Sequence, residues 1–182
     1  MSRDSDFQAI KRYFESKDKE LSKKGRLPLG STEKGFWGVT HLDDFYTWCK
    51  LVKLEDFKQF IDLGSGDGRI AAVASLFTDA TGVEYDEKLH AEAEAAAKAL
   101  TSKTHFIKAD YTQLDLSKYD IWFCYADHNF EWLTHKQHEL IHLYLYHDTF
   151  HPSFLFKEKT IWIGQIPVFH YTSKQKSNKS TR

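Results

Sequence analysis

Phe60-Ile61-Asp62-Leu63-Gly64-Ser65-Gly66-Asp67-Gly68-Arg69 is the stretch on which the fold turns. An apolar run ends on an acid. Three glycines at alternate positions follow, and then Arg69 opens a helical pattern carried by Ile70, Ala71, Val73, Ala74 and Phe77. Glycines at 64, 66 and 68 remove side chains where a chain must turn sharply between strand and helix, and they let a ligand approach the backbone. In an open α/β sheet the residues at a strand's carboxyl end face the usual ligand crevice. The dinucleotide fingerprint Gly-x-Gly-x-x-Gly is the competing reading, but here the third glycine arrives one position early. Asp62 would also set a carboxylate beside the pyrophosphate. A ligand bearing an ammonium group suits that carboxylate better. No Gly-Lys-Ser or Gly-Lys-Thr follows, which disfavours a phosphate-binding loop of the nucleotide-hydrolase kind.

Outward from the loop, the pattern alternates. Phe57–Leu63, Ala80–Tyr85, Thr104–Lys108 and Asp120–Tyr125 read as strands, and Arg69–Phe77 and Glu87–Leu100 as helices. This spacing predicts right-handed crossover units and a mostly parallel sheet flanked by helices. Upstream, residues 41–53 read as a helix, with Thr40 and Asp43 as a reciprocal cap. Phe7, Ile10, Tyr13, Phe14 and Leu21 fall at helical spacing among charges, so residues 1–27 read as an N-terminal helical extension able to cover the domain or act as a lid. Between them, Gly35-Phe36-Trp37-Gly38 is an aromatic pair bracketed by glycines. Trp37 is either a core or hinge aromatic or a wall of the ligand pocket.

Beyond Glu131 the rhythm loosens. A helix through Trp132, Leu133, Leu140, Ile141 and Tyr144 fits, followed by a strand at Lys159–Gly164, a short strand at Phe154–Phe156 and an interruption at Pro167. This leaves room for a reduced C-terminal strand pair. Residues 28–171 make the main domain, and 172–182, with Lys174, Lys176, Lys179 and Arg182 and no acid, read as a basic flexible tail.

The 182 residues suit one domain. A net charge of −1 gives no whole-domain argument for nucleic acid, although the tail offers a local contact to RNA. No apolar run is long enough to span a bilayer and no secretory signal opens the chain, so a cytoplasmic location is the expectation. Cys49 and Cys124 form neither a disulfide framework nor a metal motif. His135, His138 and His142 can share a helix face, but the rise of about 10 Å between the outer two disfavours one coordination sphere, and no metal is expected.

The acids after successive strands add to the loop. Glu84, 22 positions after Asp62, can accept from two adjacent ribose hydroxyls, and Tyr85 can stack on a base. Asp110, past the third strand, can accept from an exocyclic amine, with Tyr111 supplying contact area. Tyr125, Asp127, His128, Asn129 and Phe130 follow the fourth strand, where substrate contact is expected: His128 to assist deprotonation, Asp127 to orient a cationic group, and Tyr125, Phe130 and Trp132 to wall an aliphatic lysine channel or stack a nucleobase. A plain hydrophilic loop and core packing are the alternatives there.

Taken in order, Ile61-Asp-Leu-Gly-Ser-Gly-Asp-Gly-Arg69, Gly82-Val-Glu-Tyr-Asp86, Lys108-Ala-Asp-Tyr111 and Tyr119-Asp-Ile-Trp-Phe-Cys-Tyr125 resemble the motifs of class I S-adenosylmethionine-dependent methyltransferases. The glycine loop is most similar to that of small archaeal and mitochondrial protein-lysine methyltransferases. The resemblance implies a Rossmann-like methyltransferase fold with S-adenosyl-L-methionine as cofactor. By it, Asp62, Gly64, Ser65, Gly66 and Gly68 hold the methionine moiety, Glu84 the ribose, and Tyr85, Asp110 and Tyr111 the adenine. Trp37 and its neighbours cover the cofactor, Tyr125, Asp127 and His128 face the transferred methyl, and Asn129 and Phe130 meet the substrate. A protein substrate methylated on lysine is the implied acceptor. A small molecule or RNA, or a non-catalytic cofactor-binding module, stands as the alternative, in a monomer or small homo-oligomer. The chain lacks Asn-Pro-Pro-Tyr after the fourth strand, which disfavours the amino-group methyltransferases of nucleic acids and glutamine.

Overall fold

The computed structural model describes residues 2–125 and 129–173. A long first helix, α1 (Arg3–Lys23), leads into a two-stranded hairpin of β1 (Leu29–Thr32) and β2 (Gly35–Gly38), then α2 (Leu42–Val52). The alternating part follows: β3 (Gln59–Leu63), α3 (Arg69–Ala74), β4 (Asp79–Glu84), α4 (Glu87–Leu100), β5 (His105–Lys108) and β6 (Ile121–Tyr125). The chain then continues through β7 (His142–Tyr146), β8 (Phe156–Ile163) and β9 (Ile166–Thr172). Strands β3 to β9 form one seven-stranded sheet in the order β5-β4-β3-β6-β7-β9-β8. Every pair from β5 to β7 is parallel, while β9 runs antiparallel to both its neighbours. The expected mostly parallel α/β sheet is therefore present, and the strand pair expected to be reduced is complete.

The order reverses direction at β3. Crossovers of one hand leading from β3 to β4 and β5 fall on one face, and those leading to β6 and β7 fall on the other. On the first face α-helices fill the space. Phe7, Ile10 and Phe14 of α1, Phe45 and Trp48 of α2, and Ile70, Val73 and Ala74 of α3 join Phe60, Ile121, Phe123 and Tyr144 of the sheet in one buried cluster. Each fully buried large side chain there contributes about 1.5–3 kcal/mol. The second face carries no α-helix among the described residues. Turns and loops cover it instead, through Leu116, Tyr119, Phe130, Leu133, Leu140 and Leu155 packed on Ile61, Trp122, Leu143 and Leu145.

That second face accounts for the main departures from the periodicity. The helix expected through Trp132 to Tyr144 is a five-residue 3₁₀ segment, Glu131–His135, followed by turns and strand β7. Leu143, Tyr144, Leu145 and Tyr146 are all buried, because a central strand packs on both faces and so blurs the period of two into a continuous apolar run. His135 and His138 therefore share no helix face with His142, whose Nδ1 lies 2.9 Å from Nε2 of His170 on β9. Pro167 does not interrupt β9. It sits opposite Trp162, and pairing with β7 begins only at Val168, so no ladder bond on that side needs its missing N–H. The reciprocal cap at α2 is also absent: the N-cap is His41, with no side-chain cap, and Asp43 instead takes a 2.6 Å bond from Lys11 of α1.

Candidate functional site

Four adjacent parallel strands, β5, β4, β3 and β6, end at the same edge of the sheet, and each delivers polar or aromatic residues there. The glycine loop leaves β3 and turns over β4: Gly64 and Ser65 donate their N–H groups to Val83 O, both at 2.9 Å, and Gly68 N–H returns to Ser65 O. Gly64, Gly66 and Gly68 all have positive φ, at 79°, 54° and 82°. Glu84 staples the turn. Its Oε2 accepts from Gly66 N–H and its Oε1 from Asp86 N–H, each at 2.8 Å.

Asp67 and Arg69 fix the loop from the other side. Arg69 Nε lies 3.0 and 3.1 Å from the two Asp67 oxygens, and its Nη atoms form a fork with Asp18 of α1 at 2.8 and 3.1 Å. Burial alone would weaken the guanidinium's charge, but the bonds to Asp18 and Asp67 more than offset it and hold the group protonated. The N-terminal helix is thus bolted to the loop by an ion triad whose Arg69 and Asp67 are buried and whose Asp18 is partly exposed. Replacing Arg69 by leucine leaves two carboxylates without their cation and is expected to destabilise the protein by about 3 kcal/mol in urea unfolding. The double variant with Asp18→Asn should recover part of that loss.

Asp62 is buried below the loop, 5% exposed. Burial pushes its carboxyl well above the usual carboxylate range, and the charges of Glu84 and Asp67 push the same way. Among the described residues no cation pairs with it. Ser65 Oγ, also buried, has no hydrogen-bond partner among the described residues.

The loop opens on a cavity of about 690 Å³, whose walls include Glu84, Tyr85, Asp110, Tyr111, Tyr125 and Asn129. A smaller cavity adjoins it, lined by Asp62, Ser65, Gly66, Asp67 and Trp37. Trp37 and Gly64 line both. The β1–β2 hairpin forms the outer wall. Trp37 packs on the loop so closely that a Cβ at Gly66 would run into its indole. Lys34, in the hairpin turn, bonds Asp110 Oδ2 at 3.0 Å and lies 4.8 Å over the Tyr85 ring.

Most residues expected at the site are brought together here. Gly68 is not on the wall; it caps α3, and its missing Cβ makes room for Phe106 and Ala93. Phe130 is placed away from the cavity, 4% exposed in the core of the second face. Asp127 and His128 lie outside the described residues. Lys34 and the Asp18–Arg69 fork join the site without any sequence signal, because their partners are 76 and 51 residues apart and leave no local pattern. Glu131 is likewise unforeseen; it lines the larger cavity together with Trp132, an expected channel wall. His147 is a further addition, its ring stacked on Tyr125 at 5.6 Å from a backbone held at φ 77°.

A family model described as "Methyltransferase domain" matches residues 60–144, the span from β3 through β7. An RNA methyltransferase from Salinibacter ruber, solved with S-adenosyl-L-homocysteine, is 20% identical; the match covers 78% of this chain and 97% of that one, with a TM-score of 0.63. This chain has the class I methyltransferase fold. The magnesium protoporphyrin IX methyltransferase of Synechocystis PCC 6803, solved with bound S-adenosylmethionine, shares it at 15% identity, 72% and 77% coverage and a TM-score of 0.56. So does the N,N-8-amino-8-demethyl-D-riboflavin dimethyltransferase of Streptomyces davawensis, at 11% identity, 72% of this chain, 53% of that one and a TM-score of 0.60. Among curated proteins no match arises. In the methyltransferase fold the complete β8–β9 pair is the sheet's far edge, and the cavity lies over the carboxyl ends of β3 to β6. No helix among the described residues is long and apolar enough to cross a membrane, and no group of three or more His, Cys, Asp or Glu among them is arranged to hold a metal ion.

Proposed function

We propose that the chain is an S-adenosylmethionine-dependent methyltransferase whose acceptor is a small molecule or RNA. The observation that carries the cofactor is Asp62: a buried carboxylate whose charged neighbours are themselves acids, set beneath a glycine loop that bares its backbone. An amino-acid ligand fits that deficit, its ammonium compensating Asp62 and its polar end reaching the orphaned Ser65 hydroxyl. Glu84 retains a second lone pair on each oxygen for ribose hydroxyls while its first ones hold the loop. Tyr85, Tyr111 and Asp110 offer a base two ring faces and an acceptor.

Bound there, S-adenosylmethionine supplies an electrophilic methyl group on a sulfonium. The chain's own residues position and desolvate: Trp37 and the hairpin close the outer side, and Tyr125, at the end of β6, faces the space left for the acceptor. That space is continued by Asn129, Glu131 and Trp132. Glu131 can take a proton from an N–H or O–H acceptor.

The protein-lysine acceptor finds no support in the comparisons. Fold relatives named for RNA, a magnesium porphyrin and a flavin favour the other acceptors instead. The test is transfer of a labelled methyl group into native extract divided into small-molecule, RNA and protein fractions. Label in the small-molecule or RNA fraction is the expected result, and label confined to protein overturns the acceptor reading.

A further inference from the structure

Asp110 and Tyr85 are the two groups that the proposed function gives to adenine, as acceptor and ring face, and one side chain already engages both. Lys34 Nζ lies 3.0 Å from Asp110 Oδ2 and 4.8 Å from the Tyr85 ring centroid. The other Asp110 oxygen is taken by Thr112, whose N–H and hydroxyl reach Oδ1 at 3.0 and 2.7 Å. The carboxylate is thus held in place by its own turn and presents its second oxygen to the cavity, where the ammonium sits.

Lys34 belongs to a hairpin built to carry it. Thr32 Oγ1 donates to Gly35 O at 3.0 Å and accepts from Lys34 N–H at 3.3 Å, fixing a two-residue turn between β1 and β2. The same hairpin presses Trp37 on the glycine loop at Gly66. Its two anchors therefore rest on the proposed adenine end, in the larger cavity, and on the proposed methionine end, in the smaller cavity that adjoins it. Leu29 and Phe36 of the hairpin line the larger cavity and stay about half accessible, so the anchors and not a buried core hold the hairpin down.

We propose that Lys34 is a resident stand-in for adenine: with no cofactor bound, its ammonium occupies the acceptor and the ring face that the base requires, and loading of the cofactor releases the hairpin from Asp110. This rests on the assignment of the cavity to S-adenosylmethionine. The ammonium donates to Asp110 as the 6-amino group would, and it covers the Tyr85 face on which the neutral base would stack, so the base can enter only as both contacts are given up. The binding-competent fraction of the protein is the fraction with Lys34 displaced, and apparent affinity is lowered by that fraction. When the product leaves, the ammonium can return to Asp110 and oppose rebinding.

Lys34→Met keeps the stem and removes the charge. Calorimetry with S-adenosylhomocysteine, and separately with adenosine, should show about three- to thirtyfold tighter binding by this variant, the range expected for one half-exposed ion pair plus one cation–π contact. Binding by the unaltered protein should tighten as salt rises from about 0.05 to 0.5 M, because salt weakens the pair that must be broken, whereas the variant should lack that gain. Thermal unfolding verifies that both proteins are folded. Equal or weaker binding by Lys34→Met, with the unaltered protein binding normally, overturns the stand-in and leaves the cofactor assignment untouched. Failure of both folded proteins to bind S-adenosylhomocysteine overturns the cofactor assignment and the stand-in with it.

Discussion

Asp62→Asn is expected to make the empty protein more stable at neutral pH while reducing its affinity for S-adenosylhomocysteine at least about 100-fold. Both effects come from one carboxylate. In the folded protein Asp62 is buried, 5% exposed, and its ionised form is opposed first by that burial and then by Glu84 and Asp67. Its folded pKa therefore stands above the unfolded value, near 3.8. A group raised in this way gives its full stabilisation below the unfolded pKa and loses it as pH rises through the folded pKa. Asparagine, of the same shape and always neutral, escapes that loss. The unfolding midpoint of the variant should exceed that of the unaltered protein by about 3–6 °C at pH 7, on the order of 1–2 kcal/mol, and the difference should shrink toward pH 4. Binding shows the opposite preference. A cationic ligand needs the ionised carboxylate, so affinity should rise with pH through the raised pKa in the unaltered protein and stay flat in the variant. A variant that binds as tightly as its parent, with the same pH dependence, removes Asp62 from the site.

This conflict between stability and binding is also what makes the loop legible in the sequence. An acid closing an apolar strand and facing three glycines makes no sense as packing, so Asp62 and Gly64 to Gly68 carry their purpose on their face. Glu84 and Asp110 are legible for the same reason, each being an acid at or just past the end of a strand. The helical face is equally legible, since α4 runs over Glu87–Leu100 as its alanine-rich pattern predicts. Its capping Asp86 accepts from both Lys88 and Leu89 N–H. The second face is not, because short 3₁₀ turns and loops bury Leu116, Leu133 and Leu155 without any helical period. The hairpin is hidden because its strands are four residues each and mostly exposed, so no alternation of apolar and polar residues marks them. Gly35 and Gly38 read as brackets around an aromatic pair, while Lys34 looks like any surface lysine. Only folding brings it to Asp110, 76 positions away.

The loop's glycines should separate in their behaviour when each is replaced by alanine. Gly68→Ala is expected to lose about 3–5 kcal/mol and Gly64→Ala only about 1–2, although both residues have φ near 80°. The backbone cost is common to the two, since a side chain in the left-handed region is strained wherever it stands. Surroundings make the difference. A Cβ at Gly68 would lie 2.5 Å from Phe106 Cζ and 2.8 Å from Ala93 Cβ, forcing β5 and α4 apart from the loop, whereas a Cβ at Gly64 meets nothing within 4 Å. With a total stability of about 5–15 kcal/mol available to a domain of this size, Gly68→Ala should unfold at markedly lower urea and accumulate poorly, and Gly64→Ala should fold. The open space at Gly64 is cavity, however, and a methyl group there intrudes where the loop is bared to a ligand. Gly64→Ala should therefore keep a cooperative unfolding transition, lowered only by its backbone strain, and still bind S-adenosylhomocysteine at least about tenfold more weakly. Normal binding by a folded Gly64→Ala protein would mean that the cofactor does not approach the backbone at this turn, and the larger cavity would then have to be assigned to the acceptor alone.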